Sequence, residues 1–367
     1  MTSNKDIHET CEKALNGEKL DKKEGISLMN SNDLLLLGDT ADKLRKKTAG
    51  DIVTFVSNRQ VNYTNICSSK CRFCAFYRDK DSQGAYVMSV EDVLKKIKDS
   101  VHRGITEVHI VGSLNPDLPL DYYETMLAEI KKNFPEIHIK AFTATEIAFL
   151  AKQNKSTIKE ILGRFKEAGL GSIPGGGAEI LNDGLREKLC PNKASSSQWL
   201  NVMETAHKIG IKSNSTMLYG HIETPKDRVE HILKIRDLQE KTGGFQVFIP
   251  LSFHPQNTEL YRHGMVKNPP GGFDDLRVLA VSRILLNGCI DNIRAYWVML
   301  GKKLAQVSLN YGVNDMDGTV VEERIAHAAG GYSDGCATKE ELVMLIKGAG
   351  RVPAQRTTDY EIIKIFE

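Results

Sequence analysis

Three thiols stand close together in Cys67-Ser68-Ser69-Lys70-Cys71-Arg72-Phe73-Cys74, a C-x3-C-x2-C spacing with an aromatic residue before the last cysteine. Thiolates so spaced can each hold one iron of a [4Fe-4S] cube, which leaves the fourth iron without a protein ligand. An open iron is a place where a small molecule can chelate and receive an electron. Other thiol chemistries fit less well. A structural zinc site needs four ligands, commonly in two pairs, and no second C-x2-C follows. A ferredoxin-type carrier wants a fourth cysteine nearby, whereas Cys190 is far along the chain. Seven cysteines in 367 residues are sparse and odd in number, which argues against a disulfide framework. Cys11, Cys190, Cys289 and Cys336 are expected to pack as small apolar side chains or to stay idle.

The elements that must position these thiols alternate between strand and helix signals. A first strand is expected at residues 60–66, running straight into the cysteines. Ser89 reads as the N-cap of a helix whose apolar stripe is Val93, Leu94, Ile97 and Val101. Strand–helix pairs follow at 106–112 with 121–134, 138–144 with 156–168, 172–174 with 197–209, 212–219 with 225–241, and 245–251 with 274–287. The last two pairs are 292–298 with 301–310 and 319–323 with 339–347. Eight such units predict a closed (β/α)8 barrel of the TIM type. Residues 1–49 are expected to form an N-terminal helical cap, 50–300 the barrel core, and 301–367 the completion of the barrel and a tail. On this plan the cysteines, Gly112-Ser113, Pro174-Gly175-Gly176-Gly177, Gly220 and His254 all fall on the C-terminal rim, where barrel enzymes build their sites.

Composition excludes several classes. Hydrophobic content of 41% and charged content of 26% describe an ordinary globular chain, and a net charge of +2 offers no electrostatic reason to expect nucleic acid or a membrane surface. The aliphatic block Leu34 to Leu37 is too short to span a bilayer, and the start Met1-Thr2-Ser3-Asn4-Lys5-Asp6 has no apolar signal core. An oxygen-labile cluster fits a reducing cytoplasm. Asn314-Asp315-Met316-Asp317-Gly318 looks like a calcium loop, but Val313 and Arg324 occupy positions that require ligands, so that reading fails.

The cysteine loop resembles that of the radical S-adenosylmethionine (SAM) enzymes, in which SAM chelates the open iron and is cleaved to methionine and a 5′-deoxyadenosyl radical. The resemblance implies SAM-binding roles for Phe73 and for the rim motifs. Gly112 and Ser113 match a strand end whose backbone meets the methionine ammonium. In Pro174-Gly175-Gly176-Gly177-Ala178-Glu179, Glu179 is placed to accept hydrogen bonds from ribose hydroxyls, and Lys193 resembles a basic residue that pairs with SAM's carboxylate. Gly220 belongs to a fifth-strand motif that flanks the adenine, and Glu223 is a helix-entry or supporting residue there.

The likeness narrows further. Asn62-Tyr63-Thr64-Asn65-Ile66-Cys67 and Cys74-Ala75-Phe76-Tyr77-Arg78 resemble a subgroup acting on menaquinone and deazaflavin precursors. Within it, Lys140-Ala141-Phe142-Thr143-Ala144-Thr145-Glu146-Ile147 is similar to the aminofutalosine synthases. Two departures stand out. Gly112-Ser113-Leu114-Asn115-Pro116 replaces the subgroup's Gly-Gly-x-His-Pro, and Thr357 replaces an aspartate. The implied substrate is an aryl enol ether with two carboxylates, 3-[(1-carboxyvinyl)oxy]benzoate, and the implied electron donor is a flavodoxin or ferredoxin. A dicarboxylate needs cationic or hydrogen-bonding partners, for which Arg294 is the leading candidate, followed by His254 and Asn310. The rivals are a hydrogen-abstracting relative and a non-enzymatic iron–sulfur carrier or sensor.

Overall fold

The computed structural model describes residues 4–266, 269–331 and 335–367; the opening residues 1–3, read above for a leader, lie outside them. The described residues form ten strands: β1 (Ile52–Val56), β2 (Asn58–Val61), β3 (Glu107–Ile110), β4 (His138–Ala141), β5 (Ser172–Ile173), β6 (Lys212–Tyr219), β7 (Phe245–Ser252), β8 (Asp315–Gly318), β9 (Val352–Arg356) and β10 (Ile362–Ile365). β1 and β2 are two halves of one strand, parted only at Ser57. β2 to β7 pair in chain order, all parallel. Phe248 in β7 then bridges Ile293, Arg294 bridges Asp315, and β8 pairs with β1. The ring therefore closes through eight strand positions, and the barrel expected from the alternation is present.

Along β3 the side chains obey the twofold period of a strand. Val108 and Ile110 are fully buried beneath the outer helices, while Glu107 and His109 turn into the barrel. Helices return to the sheet at defined points because their first turns are capped. Ser89 with Asp92, Thr143 with Glu146, Thr157 with Glu160, Ser195 with Gln198 and Thr224 with Asp227 each form a reciprocal capping box. No helix among the described residues is long and apolar enough to cross a membrane.

The N-terminal helices Asn4–Leu15, Lys22–Met29 and Leu34–Ala49 pack on the outer helices Pro225–Thr242 and Gly272–Leu285, burying Leu28, Leu37, Ala41 and Leu44. They brace the flank of the barrel, and none of their residues lines its cavity. The C-terminal residues take the opposite end. β9 runs parallel beside β1 and turns back into β10. The link between them enters the base of the barrel: Thr358 donates to Glu107 (2.7 Å), Asp359 accepts from Gln246 (2.8 Å), and the Tyr360 hydroxyl accepts from Arg294 (3.0 Å).

Several boundaries differ from expectation. The first strand is 52–61 and not 60–66, because the polar run after Val61 builds the cysteine loop. Strand 292–298 shrinks to the bridges at Ile293 and Arg294, since Trp297 already starts a short helix. The eighth strand is 315–318, upstream of the expected 319–323. Helices Ala144–Gln153 and Asp183–Leu189 and the β9–β10 hairpin were not foreseen.

Asp315 ties this closure together. It is fully buried, accepts from Thr54 (2.8 Å) and Arg356 Nε (2.5 Å), and forms an ion pair with Arg294 (2.7 Å). Removing one member of a buried ionic group strands its partners and typically costs about 3–5 kcal/mol. Asp315→Asn should lower the unfolding free energy by about that amount, read as a reduced denaturant midpoint at unchanged slope. A loss below about 1 kcal/mol would show that the two guanidinium groups find other partners.

Candidate active site

The cysteine loop, an irregular segment, is held in place from the loops around it. Ser68 N–H donates to Leu114 O after β3 (2.9 Å), Arg72 N–H to Leu189 O after β5 (2.9 Å), and Leu260 N–H after β7 to Arg72 O (3.1 Å). Arg78 holds the far side, donating from Nη1 to the carbonyls of Ala75 (3.0 Å) and Tyr77 (2.8 Å). Lys70 adopts a left-handed backbone (φ 48°) at the turn between the first two thiols. Cys67, Cys71 and Cys74 all line one cavity of about 300 Å³ at the barrel mouth.

No group of His, Cys, Asp and Glu among the described residues converges on a single metal ion. Cys71 is the most acidic of the set, pulled down to about 6 by a hydrogen bond from the Cys190 thiol, against the effect of burial, with help from Lys193 and Ser69. Burial, and the neighbouring Cys71, push Cys74 up to about 11. The contact of Cys190 with Cys71 was invisible in the sequence, where Cys190 read as an isolated apolar residue.

Phe73, Gly112, Ser113, Glu179 and Lys193 join the thiols around this cavity. Glu179 and Lys193 form a nearly buried ion pair (2.5 Å), and the Lys193 ammonium also sits 5.4 Å from the centre of the Phe73 ring. Burial works against ionisation of Glu179, but the Lys193 charge overrides it and holds the carboxyl below its ordinary range. Glu179 has a left-handed backbone (φ 45°), a strained conformation that tends to collect at functional sites.

One group of the cavity wall was missed. Glu146 accepts from the Tyr63 hydroxyl (2.6 Å), Gly112 N–H (3.1 Å) and Thr143 N–H (2.8 Å). It thereby fixes the strand end at Gly112 from the neighbouring helix. Burial raises its carboxyl above the usual range, opposed by these hydrogen bonds. The signal was present as the Thr143-x-x-Glu146 capping box, hidden by reading the strand through Ala144.

Other expected site residues are placed elsewhere or already engaged. Gly220 and Glu223 do not line the cavity; Glu223 accepts from Gly220 N–H (2.6 Å), His221 N–H (2.9 Å) and Arg228 (2.8 Å), so it folds the turn after β6. Asn310 lies outside the barrel, accepting from Arg351 (2.9 Å), and does not join the site. His254 does line the cavity, with Nε2 bonded to the Met299 carbonyl (2.9 Å). Arg294 faces the cavity too, yet its guanidinium is committed to Asp315 (2.7 Å), Asp317 (2.7 Å) and Tyr360 (3.0 Å). Asn115, the departure from the subgroup's histidine, donates to Thr64 (3.3 Å) and accepts from Asp117 N–H (3.0 Å), which shapes its own loop.

An eight-stranded barrel with three thiols on its C-terminal rim defines the architecture of a radical SAM enzyme. The radical SAM superfamily model matches residues 61–235, and the model of the CofH/MqnC C-terminal region matches residues 242–367. The chain is 43% identical to the 5-amino-6-(D-ribitylamino)uracil–L-tyrosine 4-hydroxyphenyl transferase of Methanothermobacter thermautotrophicus over 95% of both chains. It is 41% identical to the aminodeoxyfutalosine synthase of Thermus thermophilus over 97% of this chain and 96% of that one. The fold is shared with the [FeFe]-hydrogenase maturase HydG (TM-score 0.75, 18% identity, 96% of this chain and 77% of that one) and with methylornithine synthase (TM-score 0.72, 16% identity, 94% and 97%). This chain belongs to the radical SAM superfamily, whose members use a [4Fe-4S] cluster and SAM. The donor set fits such a group: three thiols border one cavity, with an ion pair and a glycine-lined backbone beside them.

Gly112 tests the tightness of this wall. A Cβ at this position would lie 2.4 Å from Cζ of the Tyr63 ring. Overpacking of this kind costs about 1–3 kcal/mol. Gly112→Ala should lose that much stability by chemical denaturation. In a Tyr63→Leu background the added cost should shrink, giving non-additive effects that a double-mutant cycle detects.

Proposed function

We propose that this chain is a transferase joining the 5′-deoxyadenosyl group of SAM to the enolpyruvyl double bond of 3-[(1-carboxyvinyl)oxy]benzoate, with rearrangement onto the arene and loss of the enolpyruvyl carboxylate as bicarbonate, giving 6-amino-6-deoxyfutalosine for menaquinone biosynthesis. In this reading Cys67, Cys71 and Cys74 hold the cluster, and SAM lies against Phe73, Gly112, Ser113, Glu179 and Lys193. When bound, the cluster supplies the electron that splits SAM into methionine and the 5′-deoxyadenosyl radical. Glu146 keeps the Gly112 backbone in position through its bond to the amide. Lys193 and Glu179 face the ligand as a charge-balanced pair, able to meet SAM's carboxylate and ribose hydroxyls respectively. A cytoplasmic location and a flavodoxin- or ferredoxin-type donor belong to the same reading.

The observation that carries it is the state of the cavity's acids. Among the described residues, Glu146, Glu179, Asp317 and Glu323 are the acids lining the cavity, and each already has partners: Tyr63 and Gly112, Lys193, Arg294, and the amides of Ile325 and Ala326. SAM's own ammonium meets the backbone at Gly112 in this reading, whereas an amino acid substrate brings a second ammonium that wants a free carboxylate. An aryl ether acid does not, and its ring suits the apolar wall of Val111, Leu218, Ile249, Leu251 and Phe253. The similarity of Ala141-Phe142-Thr143-Ala144 to the aminofutalosine synthases points the same way. The second reading, transfer of the tyrosine 4-hydroxyphenyl group onto a ribitylaminouracil, is favoured by relatives of that name at 42–44% identity.

Anaerobic turnover of reconstituted protein with adenosyl-labelled SAM separates the two. Under the proposal, label enters aminodeoxyfutalosine in step with methionine release when the enol ether is supplied. Stoichiometric labelled 5′-deoxyadenosine, formed only with tyrosine and the ribitylaminouracil, overturns it. Two further outcomes are expected. Cys67→Ala, Cys71→Ala and Cys74→Ala should each lose iron–sulfur absorption, whereas Cys289→Ala keeps it. Glu179→Gln should weaken SAM binding about 10- to 100-fold, the equivalent of one charge-assisted hydrogen bond, in a cluster-replete protein.

A further inference from the structure

Inside the barrel, the charged side chains near the cavity's inner end are already spoken for. Lys140, in register with His109 across β3 and β4, is fully buried and bonds Glu107 (2.7 Å). Arg294 is shared between Asp315 and Asp317, and Arg356 also bonds Asp315 (2.5 Å). The two carboxylates of a dianionic substrate would therefore meet closed ion pairs and no free cation among these groups.

His109 is different. Its ring projects from β3 into the cavity, level with Gln60 across β2 and β3, and has no hydrogen-bond partner among the described residues. Burial, with Lys140 and Arg294 acting in the same sense and Glu107 against it, drops its basicity to about 4. The ring is thus neutral at ordinary pH, with one N–H to give and one lone pair. The ring nitrogens face the cavity, so a ligand there can pair with a donor and an acceptor that no side chain takes. Asn62 Oδ1 and Asn214 Oδ1, also buried along the cavity wall, likewise lack partners.

We propose that His109 anchors the carboxylate of the aromatic substrate at the inner end of the cavity, donating its ring N–H to a carboxylate oxygen. The proposal rests on the functional reading above and assigns the residue that orients its substrate. It transfers no proton and involves no redox step. A histidine at this place also explains how the barrel can receive an anion while its arginines stay locked in structural pairs.

The test measures binding without turnover. Cluster-loaded protein, held oxidised, is titrated calorimetrically with 3-[(1-carboxyvinyl)oxy]benzoate and separately with SAM, for wild type, His109→Leu and His109→Gln. Loss of one hydrogen bond to a charged group corresponds to about a 10- to 100-fold change in affinity. His109→Leu should raise the Kd for the enol ether by that factor. His109→Gln, which keeps an N–H, should stay within a few-fold of wild type, and the Kd for SAM should not move in either variant. Equal enol ether affinity in wild type and His109→Leu overturns the assignment, as does a parallel loss of SAM affinity, which would signal a general collapse of the site. If wild type does not bind the enol ether at all, the functional reading fails, and the same proteins are titrated with L-tyrosine. A selective loss in His109→Leu then upholds the carboxylate anchor, and no difference overturns it.

Discussion

The barrel depends on Asp315. Between β7 and β8 the sheet is reduced to single bridges at Ile293 and Arg294, a thin stretch of backbone pairing. Where ladder hydrogen bonds are few, side chains must supply the cohesion. Asp315 does so by binding one arginine from the seventh position and one from β9, while Thr54 of β1 donates to the same carboxylate. One buried acid thus joins four separate stretches of chain. Charges buried this deeply are tolerable only because each is paired and further hydrogen-bonded. The cost is that Arg294 is not at liberty to serve a ligand.

How far the sequence discloses this arrangement depends on whether a feature is local. The thiol spacing is local, and all three cysteines reach one cavity as expected. Capping signals are local too, and Ser89 starts its helix where the pattern placed it. Asp315 and Asp317 misled for the opposite reason. Two acids in a short polar run read as a loop, yet in the barrel interior they are strand residues neutralised by arginines from 21 and 41 positions away in the chain. The same non-local pairing explains why Arg294 looked available. His109 left a faint trace, since Glu107 and His109 alternate with Val108 and Ile110 and so must face inward together. Nothing in the sequence could show that Cys190 meets Cys71, because the turn that brings them together is set by the loop after β5.

The site divides into a rim that holds the cofactor in the proposed function and an interior that is charge-balanced before any ligand arrives. At the rim, Glu179 and Lys193 neutralise each other beside Phe73, and Glu146 is spent on the Gly112 backbone. Deeper in, apolar strand residues alternate with amides and one imidazole. Such a cavity discriminates by the number and direction of hydrogen bonds rather than by net charge, because a site built around polar groups penalises a ligand that leaves them unpaired. Its apolar walls also help to keep water from a reactive intermediate.

The C-terminal hairpin has a bearing on how the molecule is made. β9 lies against β1, so the first strand of the barrel finds one of its neighbours far along the chain, with Ile52 beside Val352. Until residues 352–360 have been made, β1 keeps part of one edge open, and the base of the barrel lacks the Thr358 and Tyr360 contacts that stopper it. Nascent chains with open parallel edges are prone to associate with one another. The order of synthesis therefore makes this hairpin a late-arriving brace on a ring that β8 has already closed.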